Sequence, residues 1–161
     1  MATPELHPDC EQLAGLLGTW RGGGEGEYPT VESFDYVEEV KFAHVGKPFL
    51  AYDQRTRATD DGRPLHAETG YWRPVVPGHL EVVLSHPTGV AEVLEGSIVT
   101  GPTIVIDLHT TSVSLTSTAK SVSQLHRRFE LDGDVLRYRL AMAAVGVPLT
   151  HHLTGELRRV V

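Results

Sequence analysis

Hydrophobic and polar residues alternate along most of the chain, which is the pattern of β-strands that bury one face. The clearest alternating stretches, all rich in β-branched and aromatic residues, are residues 37–45, 49–58, 79–86 and 103–113. Short turn sequences of glycine, proline and aspartate separate them, with a tight hairpin turn at Asp132-Gly133. Because no connection is long enough for a crossover helix, the pattern predicts an antiparallel meander of about ten strands.

One segment near the start, residues 10–18, has the apolar spacing of a helix, with Leu13, Leu16 and Leu17 on one face. Many strands in a small domain create exposed sheet edges, and closing the sheet into a barrel removes them. A sandwich is the alternative, but a barrel of this size can also enclose one small ligand. We therefore expect a single domain over residues 1–161. Its fold class is all-β, an up-and-down antiparallel barrel with a short N-terminal helix.

Charge and cysteine content narrow the classes of partner. The net charge is −7, and the only basic pairs are Arg127-Arg128 and Arg158-Arg159, too few for a nucleic-acid-binding face. Cys10 is the only cysteine, so the chain forms no internal disulfide and no cysteine-based zinc site. No stretch approaches the roughly 20 apolar residues that cross a bilayer, and the start lacks the features of a secretory signal. We expect a cytoplasmic protein with neither nucleic-acid nor membrane partners.

A glycine-rich run, "GTWRGGGEGEYPT", occupies residues 18–30. A phosphate-binding glycine loop follows a strand and opens a helix, whereas this run follows a helix and continues into Pro29 and β-branched residues. It is better interpreted as the first strand. The residues that share one face of it are Gly18, Trp20, Gly22, Gly24 and Gly26. Glycines there permit either strand coiling or the close approach of a backbone or flat ligand, and Trp20 can plug the closed end of the barrel.

The run also fits a G-x-W-x-G-x-G element followed by Tyr-Pro-Thr, and with it the chain resembles the nitrobindin family. These are small haem-binding β-barrels, similar in shape to lipocalins and fatty-acid-binding proteins. Supporting stretches, which extend the resemblance almost to the last residue, are "LHAETGYWRP", "EVVLSHPTGVAEVLEG" and "PLTHHLTGELRRV". The resemblance implies haem b (iron protoporphyrin IX) as cofactor. It also implies reversible nitric oxide binding and the isomerisation of peroxynitrite to nitrate.

The chain has nine histidines, with neither the spacing of a helical zinc site nor that of a zinc finger. A haem iron needs one imidazole, so it leaves no spacing signature. The side chains of adjacent His151 and His152 diverge, so at most one enters a pocket. The resemblance implies that His152, directly before Leu153, is the proximal iron ligand, with its other ring nitrogen donating to a carbonyl or carboxylate. His151 replaces a more common proline and is expected on the surface. On the residues alone, a solvated chain end explains the pair better.

The resemblance places His66, His86 and Met142 in a haem pocket, and the two propionates of a haem require polar partners near the barrel mouth. His66 is implied over the open face of the iron, with His86 more peripheral and Met142 in the wall. Thr30 is the leading hydrogen-bond donor to the haem propionates, and Lys120 is the second candidate. On the residues alone, loop-end histidines, a gap-filling methionine and a solvated lysine are the more typical roles. No catalytic acid or base is expected beyond the haem ligand.

Two other functions fit the same barrel. A haem-free carrier of a small hydrophobic ligand would use internal arginine and tyrosine for a carboxylate, and "RRF" (127–129) or "RYR" (137–139) could supply them. That function does not explain His152. Alternatively, side chains fill the barrel and a surface such as residues 9–17 docks a partner. The sequence leaves open whether the protein is a monomer or a homodimer.

Overall fold

The computed structural model describes residues 2–75 and 77–161, and ten antiparallel strands close there into one barrel. Each strand pairs with its neighbours in sequence, and β1 pairs with β10 to complete the closure. The strands are β1 (Gly18–Tyr28), β2 (Val31–Ala43), β3 (Leu50–Ala58), β4 (Pro64–Pro74), β5 (His79–Ser85), β6 (Val90–Val99), β7 (Ile104–Leu115), β8 (Val122–Asp132), β9 (Val135–Ala144) and β10 (Val147–Arg159). The predicted all-β, ten-stranded up-and-down barrel with a short N-terminal helix is confirmed.

The N-terminal helix is a 3₁₀ helix, Pro8–Leu16, rather than an α-helix. Its buried residues are Cys10, Leu13 and Leu16, one in every three, which matches three residues per turn. The predicted apolar face was therefore wrong in one member, since half-buried Leu17 lies beyond the helix and Cys10 takes its place. Within the described ranges, no helix has the length and apolar character needed to cross a membrane.

The helix covers one end of the barrel, which we call the closed end. Trp20 is fully buried beneath it and donates its Nε1 hydrogen to the Leu16 carbonyl at 2.8 Å, while the Arg159 guanidinium lies 4.4 Å from the Trp20 ring. The Gln12 side chain accepts a hydrogen bond from the backbone N–H of Gly78 at 3.1 Å. Trp20 thus plugs the closed end as expected. The helix is packed into the core, so its apolar face is not free to dock a partner.

The glycines of β1 make room for aromatic rings. A Cβ atom at Gly26 would lie 2.2 Å from the Phe34 ring, and one at Gly24 would lie 2.5 Å from the Tyr36 hydroxyl oxygen. Both rings project from β2, the strand paired with β1. Backbone also comes close, because a Cβ atom at Gly22 would lie 2.1 Å from the Glu156 carbonyl oxygen. Of the two explanations for the glycines, close approach therefore applies, and the approaching groups are the neighbouring backbone and two aromatic rings.

Candidate functional site

In an up-and-down barrel alternate connections lie at the same end, so the turns after β1, β3, β5, β7 and β9 together form a second end, which we call the mouth. The residues predicted for the haem site all lie on these turns or within the adjoining strand ends: Thr30, His66, His86, Lys120, Met142 and His152. The fold thus brings to one place side chains that the sequence spreads over most of the chain. Their individual roles remain predictions.

His152 lies at a β-bulge near the start of β10. His151 pairs with Ala141 and Leu153 pairs with Leu140, so His152 is the extra residue between two ladder positions. The His152 ring meets the buried Tyr28 ring edge-on, with centroids 5.3 Å apart. In contrast, His151 is exposed. The two side chains diverge as expected.

The hydrogen bond of His152 decides which of its nitrogens is free. Nδ1 lies 2.9 Å from the carbonyl oxygen of Glu27. Because a carbonyl can only accept, Nδ1 carries the hydrogen and Nε2 of the neutral ring keeps its lone pair. Burial lowers the pKa of His152 and favours that neutral ring, although the bond to Glu27 acts in the opposite direction. An imidazole held at one nitrogen by a backbone carbonyl is the usual arrangement of a metal ligand, so the residue fits a haem iron at Nε2.

The rest of the mouth combines exposed and half-buried side chains. Thr30 and Lys120 are exposed, in the turn after β1 and in the segment before β8. Met142 is half-buried in β9, and its carbonyl accepts a hydrogen bond from the Tyr28 hydroxyl at 2.9 Å. Tyr28 therefore ties β1 to β9 next to His152. The placement suits a flat ligand with an apolar face and a polar edge.

His66 and His86 are in direct contact: Nε2 of His66 lies 3.0 Å from Nδ1 of His86. His86 continues inward through a hydrogen bond between its Nε2 and Glu92. The Glu92 carboxylate has no solvent exposure. His86 therefore joins the mouth to buried charges, a connection that sequence reasoning missed.

A buried polar layer separates the mouth from the apolar closed end. Its members are Tyr36, Glu38, Gln54, Glu68, Glu92, Arg127 and Tyr138. Arg127 binds both oxygens of Glu92, with Nη2–Oε2 at 2.6 Å and Nε–Oε1 at 3.2 Å, and donates to Glu68 at 3.1 Å. Burial alone would raise the pKa of Glu92. Arg127 and His86 outweigh burial and hold that pKa at about 2.

The other half of the polar layer centres on Glu38. Its carboxyl group accepts from Gln54 Nε2 at 2.5 Å and from the Tyr138 hydroxyl at 2.7 Å, and Tyr138 in turn bonds to Tyr36. Burial raises the pKa of Glu38 to about 7 despite these two donors. The alternation of β2 could have indicated this buried carboxyl group, because Glu38 occupies an inward-facing position two residues from Tyr36.

The polar layer also bears on the carrier function. Of the arginines in "RRF" and "RYR", only Arg127 is buried, whereas Arg128, Arg137 and Arg139 are exposed. Arg127 is already paired with Glu68 and Glu92. A fatty-acid carboxylate would therefore have to displace a buried ion pair, which is energetically costly.

Known proteins that are similar to this chain share its barrel fold. A family model described as "THAP4-like, heme-binding beta-barrel domain" matches residues 9–159. The chain is 56% identical to a peroxynitrite isomerase of Nocardia farcinica over 96% of this chain and 92% of that protein. It is 58% identical to peroxynitrite isomerase 2 of Mycobacterium avium, covering 96% of this chain and 97% of that one. The crystal structure of Rv2717c from M. tuberculosis superposes with a TM-score of 0.95 at 51% identity, covering 98% and 100% of the two chains. These matches confirm the resemblance to haem-binding barrels.

Proposed function

Since the chain belongs to the family of THAP4-like, heme-binding β-barrel domains, we propose that it binds haem b and isomerises peroxynitrite to nitrate. The same iron binds nitric oxide reversibly. The names of the curated relatives supply the reaction, and identity above half over nearly the whole chain supports its transfer. One structural observation carries the proposal: the Glu27 carbonyl holds Nδ1 of His152 at the bulge, which leaves Nε2 of the neutral ring without a hydrogen and able to bind a metal.

Several side chains at the mouth would hold the haem. His152 Nε2 would bind the iron, Tyr28 and Met142 would pack against the porphyrin, and Thr30 and Lys120 would bind the propionates. Bound ferric haem supplies a Lewis-acidic iron with one open coordination position, which is the chemistry that isomerisation requires. The Glu27 carbonyl fixes the orientation of the His152 ring and increases its strength as a ligand.

The cellular setting is part of the same proposal. Cys10 is the only cysteine and is buried in the closed end, which suits a reducing compartment such as the cytoplasm. The protein acts there on small molecules, as a monomer or a homodimer.

An absorption titration with haemin tests the haem site. Wild type and His151→Ala should each give a Soret band that saturates at one equivalent. His152→Ala should bind haemin more weakly. Loss of a residue that only supports a metal ligand weakens metal binding by roughly 10- to 100-fold, so loss of the ligand itself should weaken it at least as much. His151→Ala is the matched control, because it removes the adjacent imidazole from the outer face.

Two measurements then test the reaction: the decay of peroxynitrite, followed by stopped-flow absorption, and the yield of nitrate. Wild type loaded with haem should accelerate the decay, and His152→Ala should not. A wild-type protein without a saturable Soret band would contradict haem binding and favour the carrier. Loss of the native spectrum only in His151→Ala would show that the wrong histidine has been chosen.

A further inference from the structure

A line of hydrogen bonds runs from the mouth into the polar layer. It begins at His66 in β4, passes to His86 after β5 and ends at Glu92 in β6. The side chains of His86 and Glu92 are 8% and 0% exposed, so water does not compete for the bond between them. Such a buried, continuous line fixes the position of each hydrogen.

The hydrogens can be assigned from the buried end outward. Glu92 is ionised because Arg127 and His86 hold its pKa at about 2, so it only accepts. His86 must therefore carry a hydrogen on Nε2, and the Nδ1 of a neutral His86 can only accept. His66 then donates through its own Nε2, which leaves His66 Nδ1 without a hydrogen. The resting line thus ends in a proton acceptor on His66.

The charges around His66 favour uptake of one proton by the line. The titratable groups that face it are Glu68 on β4, His86, Glu92 on β6 and Arg127 on β8. Beside His66, the carboxyl groups of Glu68 and Glu92 share the single guanidinium of Arg127, and a buried carboxylate without a full partner is costly. Burial lowers the pKa of His66. His86, unlike His66, contacts a carboxylate directly at Glu92, so a positive charge on the line has its paired anion at His86.

We propose that His66, His86 and Glu92 form a proton relay for peroxynitrous acid, the protonated form of the substrate, an inference that rests on the proposed isomerase function. His66 Nδ1 accepts the proton of the acid while the Nε2 hydrogen of His66 passes to His86 Nδ1. The products are the peroxynitrite anion and a His86 imidazolium paired with Glu92, and no electrons are exchanged. The anion is isomerised with all its atoms retained, and the proton returns to water. His86 and Glu92 are positioning residues, since they act through His66.

Nitrogen-15 NMR of labelled histidines tests the hydrogen positions without any measurement of activity. The full chain is examined without added haem and as the reduced carbon monoxide complex, which is diamagnetic. In wild type at neutral pH, His66 should be the Nε2–H tautomer. His86→Phe and Glu92→Gln should each give a mixture of His66 tautomers. An Nδ1–H tautomer of His66 in wild type, or an unchanged tautomer in both variants, would overturn the relay.

The pH dependence of isomerisation tests the use of the relay. His86→Phe should slow haem-loaded protein about tenfold in acid, where peroxynitrous acid predominates, and less than about twofold in alkali. His126→Phe is the matched control, because His126 also bonds to a carboxylate, Asp107, but lies outside the polar layer, and its rates should equal those of wild type. Equal slowing by His86→Phe at every pH would overturn the relay. Absence of isomerisation in wild type would instead contradict the proposed function, while the NMR result would still decide the hydrogen positions.

Discussion

The two ends of the barrel differ in the polarity of the side chains that line them. At the closed end, Trp20, Trp72 and Leu80 are at most 1% exposed, and their surroundings are almost entirely apolar. At the mouth, half-buried histidines stand above a layer of buried charges and hydroxyl groups. Both ends belong to the same strands, so the difference arises from which side chains occupy the inward positions.

The comparison shows how one small fold separates stability from chemistry. Burial of apolar surface at the closed end is the main favourable term in folding. The mouth has less of it, and its buried charges require exact partners. Substitutions at the closed end should therefore mainly lower stability, whereas substitutions at the mouth should mainly change ligand binding and pH dependence.

The largest effect is expected from Trp20→Ala. The change removes a fully buried ring, its hydrogen bond to Leu16 and its contact with Arg159. It should lower the free energy of unfolding by about 3–5 kcal/mol, measured by urea denaturation. By comparison, His152→Ala should cost only about 1 kcal/mol, because it removes one hydrogen bond at a half-buried position.

Val83→Ala is the control for that experiment. Val83 faces outward on β5 and is 44% exposed, so the change should be within about 0.5 kcal/mol of wild type. If Trp20→Ala were no more destabilising than His152→Ala, the closed end would not be the source of stability.

An intermediate effect is expected when the free energy of unfolding is measured as a function of pH, because the polar layer contains a buried carboxyl group, that of Glu38. Since the pKa of Glu38 rises from 4.5 to about 7 on folding, the folded chain binds its proton more tightly than the unfolded chain does. The associated stability is complete below pH 4.5 and is lost as the pH rises to about 7. The loss amounts to about 3 kcal/mol.

Glu38→Gln tests this dependence, because the amide stays neutral at every pH. Urea denaturation between pH 2 and 8 should show, above pH 4.5, a decline in the stability of wild type and a flatter profile in the variant. Glu92 provides an internal comparison of opposite sign, since its lowered pKa makes stability fall as the pH drops from 4.5 toward about 2. An identical decline in Glu38→Gln would exclude Glu38 as its origin.

The smallest effect concerns two hairpin turns. At the closed end, Gly133 takes a positive φ of 57°, which glycine adopts without strain. At the mouth, Val145 has a φ of 47°, and among the described residues it is the only one other than glycine with a positive φ. A β-branched side chain is strained there, so Val145→Asn should stabilise the fold by about 1 kcal/mol. A lower melting temperature for this variant would contradict the assignment of strain to the mouth.

Local patterns in the sequence predicted most of the fold. Alternation and turn residues are properties of neighbouring positions, so the strands and their up-and-down order could be inferred before the structure. The helix was placed correctly but with one wrong residue in its buried face, because a period of three and one of 3.6 differ little over nine residues. The gathering of the predicted site residues at one end followed from the resemblance to a haem-binding family.

The polar layer could not be predicted in the same way. Arg127 meets Glu92 and Glu68 across 35 and 59 residues of sequence, and Tyr138 meets Glu38 across 100. Such contacts depend on the closure of the barrel and on the register of every pair between them. A one-residue shift would turn each of these side chains outward.

Strand positions, turns and membership among haem-binding barrels could all be inferred from the sequence, because they depend on local pattern and shared motifs. The three-dimensional fold was needed to learn which nitrogen of His152 lacks a hydrogen, that His86 is bonded to Glu92, and that Arg127 is paired with two carboxyl groups. Each of these depends on atoms brought together from distant strands, where distance and direction decide the chemistry.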